Sequence, residues 1–138
     1  PNGDLFVGGQ FLTAAGGLAS GLARWDGATW SIPFVVNREV EALAVAPNGD
    51  LVMGGWFTTA GGVSALKLAI WDGTACRALG GGLPQNDSVP AVTVLPNGDV
   101  IAAGFFTTIG GVPAKYIARW NGFSWSSIAG GMNYWVRD

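Results

Sequence analysis

Pro47-Asn48-Gly49-Asp50-Leu51-Val52-Met53-Gly54-Gly55-Trp56-Phe57 is the stretch that decides how this chain of 138 residues folds. Its opening tetrapeptide also occurs as Pro1-Asn2-Gly3-Asp4 and as Pro96-Asn97-Gly98-Asp99, at intervals of 46 and 49 residues. Asn and Gly tolerate the positive φ of a tight hairpin turn, and the Asp carboxylate can accept hydrogen bonds from nearby backbone N–H groups. We therefore expect three equivalent turns whose acids, at positions 4, 50 and 99, are structural.

Two further landmarks recur in register with this turn. Gly-Gly pairs lie at 16–17, 61–62 and 110–111, and Trp-Asp-Gly or Trp-Asn-Gly triplets lie at 25–27, 71–73 and 120–122. A fixed period of this length is typical of the blades of a propeller. The sequence thus predicts a single segment over residues 1–138, made of three tandem repeats at 1–46, 47–95 and 96–138.

Short apolar runs between the landmarks predict four antiparallel strands in each repeat. The expected strands are 40–45 and 89–94; 5–11, 51–57 and 100–106; 22–25, 68–71 and 117–120; and 29–32, 75–79 and 124–128. The Gly-Gly pairs are expected in loops. Pro90 is expected at the start of its strand or at an unpaired position, because proline cannot donate to a ladder.

The strand that follows the turn indicates the architecture. Residues 51–57 are apolar on both faces, whereas a sheet in a two-layer sandwich turns one face to water. A propeller blade packs both faces against its neighbours, and the glycines at 8–9 and 54–55 would let another backbone approach closely. The predicted fold class is all-β: three four-stranded antiparallel meanders that form a partial propeller or half of an oligomeric one.

Composition excludes several classes of function. A net charge of −2 with seven scattered basic residues gives no footprint for nucleic acid, and no uninterrupted apolar run is long enough for membrane insertion. Histidine is absent and cysteine occurs once, so the chain cannot form a Ser-His-Asp triad, a His-ligated metal site or an internal disulfide. We expect no catalytic residue, metal or cofactor. Cys76, at the position of Trp30 and Trp125, is expected to be a small core residue.

Tryptophan faces are good platforms for sugars and anchors for proteins. Trp25, Trp71 and Trp120 share one repeat position, however, and this predicts packing between blades. The predicted ligand or partner surface consists of the aromatic and neighbouring residues that break the repeat: Trp56, Asn133, Tyr134 and Trp135.

Glu39 and Glu41 are the acids that do not lie in a predicted turn, in a loop or at the chain end, so they are the ones to consider as a catalytic carboxylate pair. Glycoside hydrolysis needs two carboxylates that face each other across a cleft. Because these two are separated by one residue, they would lie on one face of a single strand. We expect them to form a solvated edge.

The segments Val7-Gly8-Gly9-Gln10-Phe11, Met53-Gly54-Gly55-Trp56-Phe57 and Leu22-Ala23-Arg24-Trp25-Asp26-Gly27, together with the Pro-Asn-Gly-Asp turn, carry a family resemblance. The repeat resembles the kelch-like propeller repeats of bacterial cell-surface proteins, and similar repeats occur in the Rax2-like cortical proteins of fungi. The resemblance implies a four-stranded meander per blade and an extracellular or cell-surface location, and it implies no reaction. The first repeat departs from the pattern, with Pro33-Phe34-Val35-Val36 where the others are rich in glycine.

Propellers usually have four to eight blades, so three blades are not expected to close a ring. Further blades of the same protein, or a second copy of the chain, would complete it, and a fragment of a longer propeller is the favoured case. The expected function is a non-enzymatic structural or binding module that presents loops to a protein or glycan. Two alternatives stay open: a propeller enzyme whose catalytic residues lie outside this chain, and a lectin-like sugar-binding propeller.

Overall fold

The computed structural model of the chain describes residues 3–9, 13–14, 17–18, 21–83 and 87–128, in which every regular element is a strand. The first strands are β1 (Leu5–Gly8), β2 (Thr13–Ala14), β3 (Gly17–Leu18), β4 (Leu22–Trp25) and β5 (Trp30–Ser31). The next are β6 (Val40–Val45), β7 (Leu51–Gly55), β8 (Thr59–Ala60), β9 (Val63–Ser64), β10 (Leu68–Trp71) and β11 (Cys76–Ala78). The last are β12 (Ser88–Val94), β13 (Val100–Phe105), β14 (Thr108–Ile109), β15 (Val112–Pro113), β16 (Ile117–Trp120) and β17 (Trp125–Ser127). The described residues include no helix that could cross a membrane.

Three antiparallel meanders, which we call blades 1 to 3, make up the fold. Blade 1 has the strand order β1-β4-β5, blade 2 the order β6-β7-β10-β11, and blade 3 the order β12-β13-β16-β17. The first strands of blades 2 and 3, β6 and β12, contact each other, as inner strands of neighbouring propeller blades do. The predicted all-β fold of propeller blades is confirmed.

The Gly-Gly segments are more regular than expected. In blades 2 and 3 the pair closes a hairpin of two-residue strands, β8 with β9 and β14 with β15, and in blade 1 Gly17 lies in β3, which pairs with β2. In the middle hairpin the φ angles of Gly61 and Gly62 are 58° and 79°, which suit the tight turn types that match strand twist. The prediction of loops here was wrong, because two consecutive residues with positive φ fold the chain back into a short ladder.

A β-bulge lies at the start of the inner strand of blades 2 and 3. The register of β6 against β7 shifts between Val40 and Ala42, and that of β12 against β13 shifts between Ser88 and Ala91. Pro90 lies inside the second interval, where its missing N–H removes no ladder bond. The expectation that Pro90 occupies an unpaired position is confirmed.

Glycines in the second strand let the inner strand of the next blade approach. A Cβ atom on Gly54 would lie 2.7 Å from the carbonyl oxygen of Val89, and one on Gly8 would lie 2.9 Å from Cγ1 of Val40. Both distances are shorter than van der Waals contact allows. The close approach expected from the glycine pairs is confirmed.

Two apolar clusters hold the blades face to face. All five residues of β7 are buried, so this strand supplies both clusters, as its two-sided apolar pattern predicts. The cluster between blades 1 and 2 includes Leu22, Val36, Leu51, Met53, Phe57 and Ala69. The cluster between blades 2 and 3 includes Val52, Leu68, Leu79, Val100, Phe106 and Trp125.

The interface between blades 1 and 2 and the interface between blades 2 and 3 are packed with different side chains at equivalent repeat positions. Between blades 2 and 3, Trp125 packs against Gly110, whose added Cβ would lie 2.9 Å from Trp125 Cδ1. Between blades 1 and 2, the Trp125 position holds Cys76, and Phe34 fills the gap with its ring centroid 5.2 Å from that of Trp71. Phe34 stands at the repeat position of Gly80, whose added Cβ in the next interface would lie 3.0 Å from Cζ3 of Trp120. The unusual segment of the first repeat is therefore a packing compensation for the small Cys76.

This compensation predicts energetic coupling between positions 34 and 76. Cys76→Trp alone should lower the free energy of unfolding by about 1–3 kcal/mol, because the added indole overpacks the site occupied by Phe34. Combining it with Phe34→Gly should give a favourable coupling of about 1 kcal/mol or more in a double-mutant cycle. Urea denaturation of the four proteins measures the cycle. Additive effects would show that the two side chains do not share the space.

Cys76 is buried, as expected for a core residue. Burial, with a smaller contribution from the nearby Asp72 carboxylate, raises the pKa of its thiol from 9.0 to about 11. The neutral thiol thus favours the folded state below pH 9, and this contribution is lost as the pH rises through about 11. We predict that Ellman's reagent leaves the native thiol unmodified at pH 8 and titrates it fully in urea, with Cys76→Ser as the blank. Rapid labelling of the native chain would contradict this placement.

The aspartates of the repeated turns pair with arginines. Asp99 binds Arg119 through Nε at 2.7 Å and Nη2 at 2.6 Å, and Asp4 pairs with the equivalent Arg24. Asn97 accepts the backbone N–H bond in the turn, at 3.0 Å from the nitrogen of Asp99. The acids are structural, as predicted, but the backbone hydrogen bond that was predicted for the aspartate is accepted by the asparagine.

Candidate functional site

Trp56 follows β7 at the end of blade 2 that lies opposite the Pro-Asn-Gly-Asp turn. Its backbone N–H donates to the carbonyl of Glu39 at 3.0 Å, and its side chain is only partly buried. Two cations lie near its ring: Arg38 Cζ is 5.8 Å and Lys67 Nζ is 5.6 Å from the centroid. Both distances fall within the range of cation–π attraction. Trp56 is therefore the centre of a charged group of side chains.

Lys67 is the most constrained member of this group. It is 1% exposed, its φ is 73°, and its ammonium group donates to the Trp56 carbonyl at 3.0 Å. Burial holds the pKa of Lys67 below its ordinary value and the Arg38 charge lowers it further, while Asp87 and Glu39 oppose this shift. A buried ammonium group and a left-handed backbone at a non-glycine residue both cost stability.

Carboxylates surround these cations. Glu39 lies 3.5 Å from Nε of Arg38, and its side chain is 21% exposed. Partial desolvation raises the pKa of Glu41, although the residue as a whole is exposed. A hydrogen bond from the Trp56 side chain opposes that rise, and the Glu39 charge adds to it. Burial likewise raises the pKa of Asp87, against the effect of Lys67.

Glu41 lies at the β6 bulge, and Glu39 directly precedes β6 and accepts a hydrogen bond from the Trp56 backbone N–H through its carbonyl. The prediction of a solvated edge was wrong for Glu39, because β6 begins only at Val40 and the half-buried Glu39 lies against Arg38 and Trp56. Glu41, which is exposed, is the residue that shifts the register against β7. A bulge re-aims a side chain that would otherwise follow the pleat.

We call these six residues the Trp56 cluster: Arg38, Glu39, Glu41, Trp56, Lys67 and Asp87. Four of the corresponding positions of blade 3 hold uncharged residues: Ser88, Pro90, Phe105 and Tyr116. The position of Arg38 is occupied in blade 3 by Asp87, which is itself a member of the cluster. Tyr116 has a φ of 65°, and Gly21 of blade 1 has a φ of 87° at the same position. The left-handed conformation is thus a property of the repeat, whereas the charges of Glu39, Glu41 and Lys67 are absent from the equivalent positions of blade 3.

Of the residues predicted as a ligand surface, Trp56 lies in the described part of the chain. Asn133, Tyr134 and Trp135 lie outside the described residues. Lys67 and Arg38 were not among the predicted site residues. An alignment of the three repeats would have identified Lys67, because it stands where the other copies have Gly21 and Tyr116.

Two open clefts lie at the other end of the blades. One of about 560 Å³ lies between blades 2 and 3 beside Asn48, Arg77 and Asn97, and one of about 360 Å³ lies between blades 1 and 2 beside Arg24 and Asp72. Both are formed by turns that all repeats share. The clefts thus follow from blade geometry, and the Trp56 cluster is the better candidate for a specific site.

The Trp56 cluster combines an aromatic face with charged donors and acceptors. An aromatic face surrounded by donors and acceptors suits a ligand with apolar and polar sides. Across the residues that the structure describes, no group of three or more acids, cysteines or histidines is placed to hold a metal ion. No buried side-chain nitrogen or oxygen in this part of the chain lacks a hydrogen-bond partner.

The fold is a set of propeller blades, and the Trp56 cluster distinguishes one end of blade 2. A comparison with protein families matches residues 95–122 to a family described as "Domain of unknown function (DUF5122) beta-propeller". The matched stretch contains β13 to β16 of blade 3 and supports assignment to a β-propeller family. No curated protein and no solved structure gave a match.

Proposed function

We propose that this chain is a non-enzymatic binding module whose rigid propeller blades present the Trp56 cluster to a protein or glycan partner. Lys67 is the observation that carries the proposal. The same repeat position is filled by Gly21 in blade 1 and by Tyr116 in blade 3, so the blade does not need a buried cation there. Residues that cost stability without serving the fold are typical of functional sites.

The kelch-like resemblance of the repeats supports an extracellular or cell-surface location for this binding. Tryptophan and arginine, the residues that dominate binding energy at protein interfaces, occur side by side at Trp56 and Arg38. The same ring, with Glu41 and Asp87 as acceptors for hydroxyl groups, fits the glycan case. A protein partner and a glycan partner would both contact the Trp56 cluster.

Selection of ligands with the wild-type chain tests the proposal. The probes are a glycan array and a phage-displayed peptide library. We expect bound glycans or peptides to lose about tenfold or more in affinity with Trp56→Ala, the usual loss at a binding hot spot. Phe105→Ala, at the equivalent position of blade 3, is the matched control and should leave affinity unchanged. Circular dichroism must show that both variants are folded.

Three results would overturn the proposal: no ligand from either probe, ligands that bind Trp56→Ala as well as the wild type, or chemical conversion of a bound glycan. The last would favour the enzyme alternative. Binding to glycans but not to peptides would identify the lectin-like case within the proposal.

A further inference from the structure

The larger of the two open clefts lies between blades 2 and 3, at the end of the blades that carries the Pro-Asn-Gly-Asp turns. Its volume is about 560 Å³, against about 360 Å³ for the cleft between blades 1 and 2. A blade of four described strands stands on each side of it. The turns at its rim are common to all the repeats, whereas the side chains inside it differ between them.

Smaller residues in the larger cleft replace two phenyl rings that pack against a tryptophan in the smaller one. Between blades 1 and 2, the ring centroid of Trp71 lies 5.7 Å from that of Phe6 and 5.2 Å from that of Phe34. Between blades 2 and 3 the equivalent tryptophan is Trp120, where Val52 stands at the position of the first phenylalanine and a glycine at that of the second. The space beside Trp120 is therefore open to the cleft, which Trp120 lines.

Trp120 is held in place as one wall of this cleft. Its ring packs against that of Trp125, with the centroids 5.4 Å apart. Trp125 is itself fixed by the hydrogen bond from its indole nitrogen to the Leu79 carbonyl. Trp120 is nevertheless partly exposed. A side chain that is already held in one geometry loses little conformational entropy when a ligand packs against it.

Blade 2 carries its arginine on a different strand from the other two blades. Blades 1 and 3 have Arg24 and Arg119 on their third strands, β4 and β16. Blade 2 has Ile70 at this position, and its arginine is Arg77 on the fourth strand, where the other two blades have serine. Ile70 and Arg77 both line the larger cleft.

Arg77 is paired less tightly with the aspartate of its turn than the arginine of blade 3. Nη2 of Arg77 lies 3.4 Å from Asp50, whereas Arg119 binds Asp99 through two nitrogens at 2.6 and 2.7 Å. The Arg77 side chain is 57% exposed. A guanidinium group has five N–H donors, and an exposed ion pair contributes little stability. Arg77 therefore offers donors to the cleft, beside an acceptor on Asp50.

We propose that this cleft binds a neutral sugar residue of a glycan. The apolar face of the sugar ring would pack on Trp120, while its hydroxyl groups would accept from Arg77 and donate to Asp50. The charges of Arg77 and Asp50 balance each other, and a hydroxyl group, unlike a carboxylate, can both accept from one and donate to the other. The volume of the cleft lies in the usual range for small-molecule sites, about 300–1,000 Å³. This site does not rest on the Trp56 cluster, which lies at the opposite end of blade 2.

NMR titration of the labelled full chain with methyl glycosides of glucose, galactose, mannose and N-acetylglucosamine tests the proposal. At least one glycoside should shift the indole N–H signal of Trp120 and the Nε–H signal of Arg77. Loss of a signal in Trp120→Phe assigns the indole. The titration uses the wild-type chain, so its result does not depend on the folding of any variant.

Arg77→Ser gives blade 2 the residue that the other blades have at this position. It should weaken glycoside binding about tenfold or more, the usual effect of losing a hydrogen bond to a charged group. Arg119→Ser is the matched control, because it removes the arginine of the equivalent turn pair in blade 3 and does not line the cleft. The control should leave affinity unchanged. Circular dichroism checks that both variants are folded.

The inference would be overturned if none of the four glycosides shifted the Trp120 signal, or if Arg77→Ser and Arg119→Ser weakened binding equally. Tighter binding of methyl glucuronide than of methyl glucoside would overturn the choice of a neutral ligand. A glycoside bound normally by Trp56→Ala and weakly by Arg77→Ser supports the cleft alone. The reverse pattern supports the Trp56 cluster alone and overturns the cleft, so the two sites fail separately.

Discussion

Replacing Trp125 by alanine is expected to lower the free energy of unfolding by about 3–5 kcal/mol, the usual cost of truncating a buried aromatic side chain. The side chain packs in the cluster between blades 2 and 3, and its indole N–H donates to the Leu79 carbonyl. The variant thus loses packing and also leaves a carbonyl without its donor. Urea denaturation followed by circular dichroism measures the loss.

Trp30→Ala is the matched control, because Trp30 has the same repeat position and a partner ring at a similar distance. It should cost about 1 kcal/mol, the value of the aromatic pair alone. Equal losses in the two variants would contradict the burial of Trp125 by blade 2.

Gly55→Ala is expected to cost about 3 kcal/mol, the upper part of the range for overpacking. The added Cβ would collide with the carbonyl oxygen of Glu39 and would lie 3.0 Å from the nitrogen of Glu41 and 3.1 Å from Cα of Val40. All three atoms belong to the backbone at the β6 bulge, so no side chain can move aside. Thermal unfolding monitored by circular dichroism measures the change.

Gly81→Ala serves as the control for this substitution. Its added Cβ would lie 3.3 Å from Cα of Gly110, and neither Gly55 nor Gly81 has a positive φ. We expect a cost below about 1 kcal/mol, as for substitutions that leave the packing intact. A neutral Gly55→Ala would show that β6 and β7 do not approach as described.

The blades could be predicted from the sequence because their signals are local and repeated. The Pro47-Asn48-Gly49-Asp50 turn and the two-sided apolar strand after it recur three times, and each copy supports the others. The compensation between Phe34 and Cys76 could not be predicted in this way. Those residues are far apart in the chain, and only the stacking of blade 1 on blade 2 brings them to the same ring of Trp71.

The candidate site was predictable in part. Trp56 breaks the repeat, and this marked it in the sequence. Its cluster depends on the β6 bulge, which contains Glu41, and on the left-handed Lys67, whose ammonium group donates to the Trp56 carbonyl. Neither feature has a sequence pattern of its own, because both arise from contacts between separate strands.

A through-space NMR contact between Gly54 and Val89 tests the central claim most directly, namely that the repeats are blades stacked face to face. An α-hydrogen of Gly54 takes the place of a Cβ that would lie 2.9 Å from Cγ1 of Val89. In the labelled chain we predict a strong cross-peak between this hydrogen and a methyl group of Val89. Its absence, with cross-peaks between β6 and β7 present, would mean that each repeat folds as a meander without the predicted stacking.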